Sequence, residues 1–332
     1  MGNRLEGNPI PATHPPFDPS KTEATPESMI QHHWQELNGA PGAAVGGVQA
    51  IGHAGAQGHR ISYTDGDIYL NERNSHPSWV RGEIRKRYLD LGGAQSWLGF
   101  PTGDEKDFSE GGRVSEFDHG NIYWWPDSGP IEADQIVIKY TGILCFGETD
   151  WDQASPFDEP YVVLGTVSPQ GTTAARSQIY ERVKAIQGRA DDVEIFRGRP
   201  YGVVVTALLM EHDEDNPDRY KDEIEGAVRT AFGSITAAVA AAGPVGAAVA
   251  VVAGPVLQKV APDVAKAINT VLDLQDDNLG QQAETFSPKR LLQLATKTPL
   301  SLDYGVRSNY QTGLYTGGGS TYKVCLSVEK AG

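Results

Sequence analysis

Cysteine is nearly absent, with Cys145 and Cys325 the only two in the chain. That excludes a disulfide-stapled scaffold and a thiol-rich zinc site. It leaves one bond between the two residues, or two separate buried thiols, because each sits in a strand-like run. Positive charge is also scarce. Lys and Arg number 28 against 43 Asp and Glu, for a net charge of −15. Such a field repels nucleic-acid phosphates and anionic lipid headgroups, and no Lys/Arg run offsets it locally. Nucleic acid is therefore not expected as a partner. The first eleven residues lack the apolar core of a secretory signal. Nucleophile elbow, H-E-x-x-H, phosphate loop and dinucleotide fingerprint are all missing, so no enzyme is expected. A Cys145–His212 pair would need an ionised thiol, and the apolar run around Cys145 argues against one.

What is plentiful is turn chemistry. The 38 glycines and 21 prolines indicate many turns, and therefore β-structure. Residues 1–28 hold Pro9, Pro11, Pro15, Pro16, Pro19 and Pro26 and read as a flexible arm. Ser28 would then cap a helix starting near Met29. Beyond the arm the sequence repeats itself at an offset of 54. Ile30 falls on Ile84, Trp34 on Tyr88, Leu37 on Leu91 and Gly39 on Gly93. Gly58 falls on Gly112, Tyr63 on Phe117, Gly66 on Gly120, Ile68 on Ile122 and Tyr69 on Tyr123. Each unit, 29–82 and 83–133, starts with a helical pattern. Ile84, Tyr88 and Leu91 share one helix face, and Gly92-Gly93 would end the helix. A hairpin follows, with Gly66 and Gly120 expected to supply a positive φ at its turn.

The second unit contains Leu98-Gly99-Phe100-Pro101-Thr102-Gly103-Asp104-Glu105. It runs on through Gly112-Arg113 and Phe117 to Gly120-Asn121-Ile122-Tyr123-Trp124. With this tetrapeptide, these glycines and this aromatic strand, it resembles the LGFP repeat of actinobacterial surface proteins. The first unit has Ala44-Val45-Gly46-Gly47 in place of the tetrapeptide. The resemblance covers residues 29–133. It implies an extracellular or cell-surface protein whose repeats bind wall glycan or peptidoglycan. Aromatic rings suit such a ligand, because a ring face stacks on the apolar face of a pyranose. Trp97, Tyr123, Trp124 and Trp125 are the candidates. Strand alternation means Trp124 and Trp125 cannot both face a core. The adjacent His32 and His33 point in different directions on a helix and are not expected to form a metal site.

From residue 134 the pattern changes to strands separated by turn clusters, the mark of an antiparallel sandwich. Residues 135–140, 142–146, 161–167, 201–210 and 321–328 are strand-like. Two acidic loops border these strands, at Thr149–Pro160 and Glu211–Asp218, and Asp276-Asp277-Asn278 would add a third. The arrangement is similar to calcium-dependent membrane-binding sandwich modules. Calcium takes six to eight oxygen ligands. Asp150, Asp152, Asp158, Asp213, Asp215 and Asp218 would supply them if the loops meet.

No charged residue falls between Arg229 and Lys259. Gly243-Pro244 and Gly254-Pro255 interrupt this Ala-rich stretch, which predicts short helices with a turn at Gly243-Pro244 rather than one span. The whole helical insertion covers about 219–275. The expected fold is thus α+β: tandem helix-hairpin repeats, then an antiparallel β-sandwich with an Ala-rich helical insertion. The expected function is non-enzymatic binding to the cell envelope, with a C-terminal effector or interaction domain and calcium as the one candidate cofactor. Two alternatives stand beside it. In one, residues 230–258 contact or enter a membrane, as in a pore-forming or antibacterial effector. In the other, the helical hairpin is a homo-oligomer interface in an assembly component.

Overall fold

The computed structural model describes residues 25–53, 55–147, 158–212, 248–272, 278–317 and 319–331, with scattered helical residues between 222 and 241. The chain divides into two compact units, 1–104 and 105–332. The division falls inside the second repeat, so the hairpin of that repeat belongs to the C-terminal unit.

In the first unit, helix α1 (Pro26–Glu36) is started three residues earlier than Ser28 predicts. Thr25 is the cap: its hydroxyl accepts from the Ser28 amide, and the Ser28 hydroxyl accepts from the Thr25 amide. Pro26 fits because the first helical turn needs no donor there. Four antiparallel strands follow in spatial order, β1 (Gln49–His53), β2 (Ala56–Tyr63), β3 (Gly66–Asn71) and β4 (His76–Val80). The expected hairpin is therefore the middle of a four-stranded meander. One face, with Ile61, Tyr63, Ile68, Leu70 and Trp79, packs on Ile30 of α1, with Met29, Trp34 and Leu37 at the edge. Ile30, Trp34 and Leu37 recur at helical spacing, which is why this side of α1 meets the sheet. On the opposite face, Tyr69 meets Tyr88 of helix α2 (Gly82–Asp90) edge to face at 5.5 Å.

The second unit opens on another meander of β5 (Lys106–Phe108), β6 (Gly112–Phe117), β7 (Gly120–Trp125) and β8 (Gly129–Ala133). The register recurs at the offset read from the sequence. Ile61 pairs with Ile68 and Tyr63 with Gly66; Ser115 pairs with Ile122 and Phe117 with Gly120. Gly66 takes the positive φ expected of it, 137°, whereas Gly120 does not.

Two facing antiparallel sheets form the rest. One is ordered β11 (Gly171–Arg176), β10 (Pro160–Ser168), β13 (Val203–Glu211), β14 (Asn278–Phe286). In the other, β12 (Gly188–Gly198), β9 (Ile136–Gly147) and β19 (Ser320–Lys330) are flanked by the short β17 (Tyr310–Gln311) and β18 (Tyr315–Gly317). A small pair, β15 (Leu300–Ser301) and β16 (Arg307–Ser308), stands apart. Ile138, Tyr140, Val324 and Leu326 from one sheet and Val162, Leu164, Val205 and Leu209 from the other share a single core. The two strand-like runs at 135–140 and 142–146 become one continuous strand, Ile136–Gly147. Cys145 and Cys325 are both free and buried. Pairing sets Cys145 opposite Tyr322 and Cys325 opposite Gly142, three positions apart, so no bond joins them. Burial pushes the Cys325 thiol up to about 12, which leaves it protonated and inert.

Two helices pack on this unit, α3 (Ala248–Leu272) and α4 (Pro288–Ala295). Helix α3 passes through Gly254-Pro255 without ending. The expected turn at Gly243-Pro244 lies outside the described residues. Ala250, Ala253, Leu257, Ala261 and Val264 are buried along one side of α3. One side of α3 is thus covered by protein, while Val251 is 44% exposed. No helix among the described residues is long and apolar enough to cross a membrane.

Candidate functional site

In the first unit the tetrapeptide is an anchor. Leu98 and Phe100 are fully buried. The Tyr88 hydroxyl donates to the Gly99 carbonyl at 2.7 Å, and the Ser78 hydroxyl reaches the Pro101 carbonyl at 3.4 Å. Gly58 leaves room for the Phe100 ring: a Cβ there would lie 2.4 Å from Phe100 Cε1 and 2.5 Å from the Leu70 carbonyl oxygen. A side chain at position 58 and the ring at position 100 exclude one another.

Three residues on, Asp104 closes the segment. Its Oδ1 accepts from the Trp79 amide at 2.7 Å and contacts His33 Nε2 at 2.9 Å. The other His33 nitrogen, Nδ1, is 3.1 Å from Glu36 Oε2. An imidazole donates from both nitrogens only as the cation. Burial disfavours that cation, but the bonds to Asp104 and Glu36 outweigh it and His33 is raised above its ordinary pKa. Burial likewise works against the Asp104 carboxylate. The His33 and Trp79 donors prevail, and Asp104 is held below its ordinary range. On the Tyr69 side of the sheet, Arg85 forks onto Asp67 at 2.6 and 3.1 Å. The His33–Asp104 pair is not visible in the sequence, since the two lie 71 positions apart.

In the second unit, Tyr123 and Trp125 are fully buried. The Trp125 indole N–H donates to the Ser109 carbonyl at 3.0 Å, and the Tyr123 hydroxyl accepts from the Asn121 amide at 2.8 Å. Their cluster includes Phe108, Val114 and Ile131, and is closed by Tyr201, Ala250 of α3 and Leu292 of α4. Neither ring has a face to offer a sugar, which corrects the expectation for both. Strand alternation turns Trp124 the other way, and it is half-buried. Trp97, in the first unit beside the buried tetrapeptide, is 47% exposed.

The LGFP-repeat family model matches residues 98–138. The match opens on the tetrapeptide itself and closes in β9. The first copy of the internal repeat lies outside it. A search of curated proteins finds no match to the chain. LGFP repeats are associated with cell-surface proteins. Within the matched segment Leu98, Phe100, Phe117, Ile122 and Tyr123 are buried and Arg113 and Trp124 are half-buried, and the exposed Trp97 stands just before it.

The proposed calcium ligands fare differently from one another. Asp158 is fully buried in the sandwich, where one carboxylate oxygen accepts from the Ser320 and Tyr322 hydroxyls, each at 2.6 Å. It does not lie on an acidic loop surface. Asp150, Asp152, Asp213, Asp215 and Asp218 lie outside the described residues, as do Asp276 and Asp277. Among the described residues no group of three or more His, Cys, Asp or Glu is placed to hold a metal ion.

Proposed function

We propose that the chain is a non-enzymatic binding protein of the bacterial cell envelope, with the LGFP segment docking on wall glycan or peptidoglycan from an extracellular or surface location. One observation carries the reading. Trp97 holds an exposed ring immediately before a tetrapeptide that is locked by Phe100 on Gly58 and by Tyr88 on Gly99. An anchored base removes backbone freedom beneath the ring, which lowers the conformational entropy that stacking on a pyranose would cost. Trp124 offers a second, smaller surface. The C-terminal sandwich would be the effector or interaction domain.

The test is sedimentation of the purified chain with isolated actinobacterial cell walls. The full chain should pellet, and Trp97→Ala should pellet several-fold less while melting at the same temperature. Deleting the repeats at 133 is a poorer control. It would remove β5–β8 from the second unit and uncover Tyr201, Ala250 and Leu292. Failure of the full chain to pellet would remove this reading.

A further inference from the structure

A cleft of about 350 Å³ lies within the second unit, between the Phe108–Gly111 turn, helix α3 and the corner where β14 enters α4. That volume falls in the range of small-ligand sites. Its floor is apolar, built from Phe108, Leu257 and Phe286. Polar groups ring the floor. Ser109 and Thr285 bring hydroxyls, and Gln258 an amide. Helix α3 holds two carbonyls that lack their helical donors. Pro255 and Pro262 have no N–H, so the helical bonds to the carbonyls of Val251 and Gln258 are missing. Both of those residues line the cleft.

Glu110 stands at the rim with φ 58° and ψ 36°, a left-handed conformation that costs energy for a side-chain-bearing residue. One of its carboxylate oxygens accepts from the Lys289 amide at 3.2 Å, at the start of α4. The carboxylate puts negative charge at the mouth. Gly254 keeps the α3 wall open: a Cβ there would lie 3.6 Å from Ser109 Oγ, in ordinary contact.

We infer that this cleft binds a neutral sugar residue. A ring with C–H groups on one face would lie on the apolar floor. Its hydroxyls both donate and accept, so they match carbonyls, an amide and hydroxyls together, as an amine or a carboxylate would not. The Glu110 charge and the net charge of −15 disfavour acidic sugars. The inference rests on the proposed function only in taking the sugar from a wall glycan.

The experiment is saturation-transfer NMR on the full chain with glucose, N-acetylglucosamine, glucuronate and hexanol as separate probes. The neutral sugars should receive saturation, and glucuronate several-fold less. Gly254→Leu fills the cleft with a better helix former. It should abolish transfer to the sugars without lowering the melting temperature. Glu110→Gly relieves the left-handed backbone and should raise transfer to glucuronate. No transfer to either sugar, transfer undiminished in Gly254→Leu, or transfer to hexanol alone would each overturn the inference. Wall sedimentation separates the two proposals. Sugar transfer lost in Gly254→Leu, in a chain that does not pellet, would uphold the cleft and remove the wall reading.

Discussion

Phe100 lies over Gly58, and Trp125 lies over Gly112, the glycine 54 residues further on. A Cβ on Gly112 would meet the Trp125 ring at 2.5 Å, as one on Gly58 would meet the Phe100 ring. In the first meander the position equivalent to Trp125 is Asn71, and the space above the glycine is filled by the tetrapeptide of the following repeat. In the second meander the strand supplies its own ring, and Tyr201, α3 and α4 close over it. The C-terminal unit thus covers the face that a further repeat would cover. The first copy has Gly46 where the second has Phe100, and so has no ring to offer a preceding glycine.

This geometry makes position 58 intolerant. Gly58→Ala should lower stability by about 1–3 kcal/mol through overpacking. Phe100→Ala should cost about 3–5 kcal/mol through the cavity it leaves. Denaturant unfolding of the full chain would show both as losses. If Gly58→Ala were neutral, the close approach of ring and backbone would be wrong.

The tryptophans should separate by role. Trp125→Ala removes a buried ring and an indole bond to Ser109, and should cost about 3–5 kcal/mol. Trp97→Ala should leave the melting temperature within a degree or two while weakening wall sedimentation. A Trp97 variant that unfolds and a Trp125 variant that does not would reverse the assignment.

Stability should depend on pH through the His33–Asp104 contact. His33 is raised, so its contribution is complete below the ordinary histidine pKa and is lost as pH rises through its folded value. Asp104 is lowered, so its contribution is complete above the ordinary carboxylate pKa and is lost as pH falls through its folded value. The groups facing His33 are Asp104, Glu36 and the His76 ring at 6.0 Å, with His32 sharing Glu36 at 3.4 Å. The contact is therefore strongest between about pH 4 and 6.5. Melting curves from pH 5 to 8 should fall more steeply for the native chain than for His33→Gln. Parallel curves would refute the coupling.

Asp158 should behave as a buried acceptor. Asp158→Ala leaves the Ser320 and Tyr322 hydroxyls without this partner and should cost about 1–3 kcal/mol for each group left unsatisfied. Tyr322→Phe should cost less, about 1 kcal/mol. Thermal unfolding measures both, and a neutral Asp158→Ala would contradict the burial.

Calcium has its own readout. A cation held by the acidic loops should raise the melting temperature at millimolar calcium, and Asp213→Asn should abolish the rise. No shift in the native chain would remove calcium.

The sequence by itself determined the 54-residue offset, the tetrapeptide and the alternation that separates Trp124 from Trp125. These are local or periodic properties, set by turn residues, side-chain alternation and repetition along the chain. It missed β11, which has no buried position to alternate, and β12 and β14, whose pairing is interrupted by register shifts. It also placed the helix start at Ser28 where Thr25 caps. Only the tertiary structure decided that Tyr123 and Trp125 are core while Trp97 is exposed, that Asp158 is buried, that the two cysteines stay apart, and that α3 is covered along one side. Each of those outcomes depends on partners far away in sequence, such as Tyr201 and Leu292 for Trp125 or Ser320 and Tyr322 for Asp158. Burial is a property of the pair, and the pairing exists only once the chain has folded.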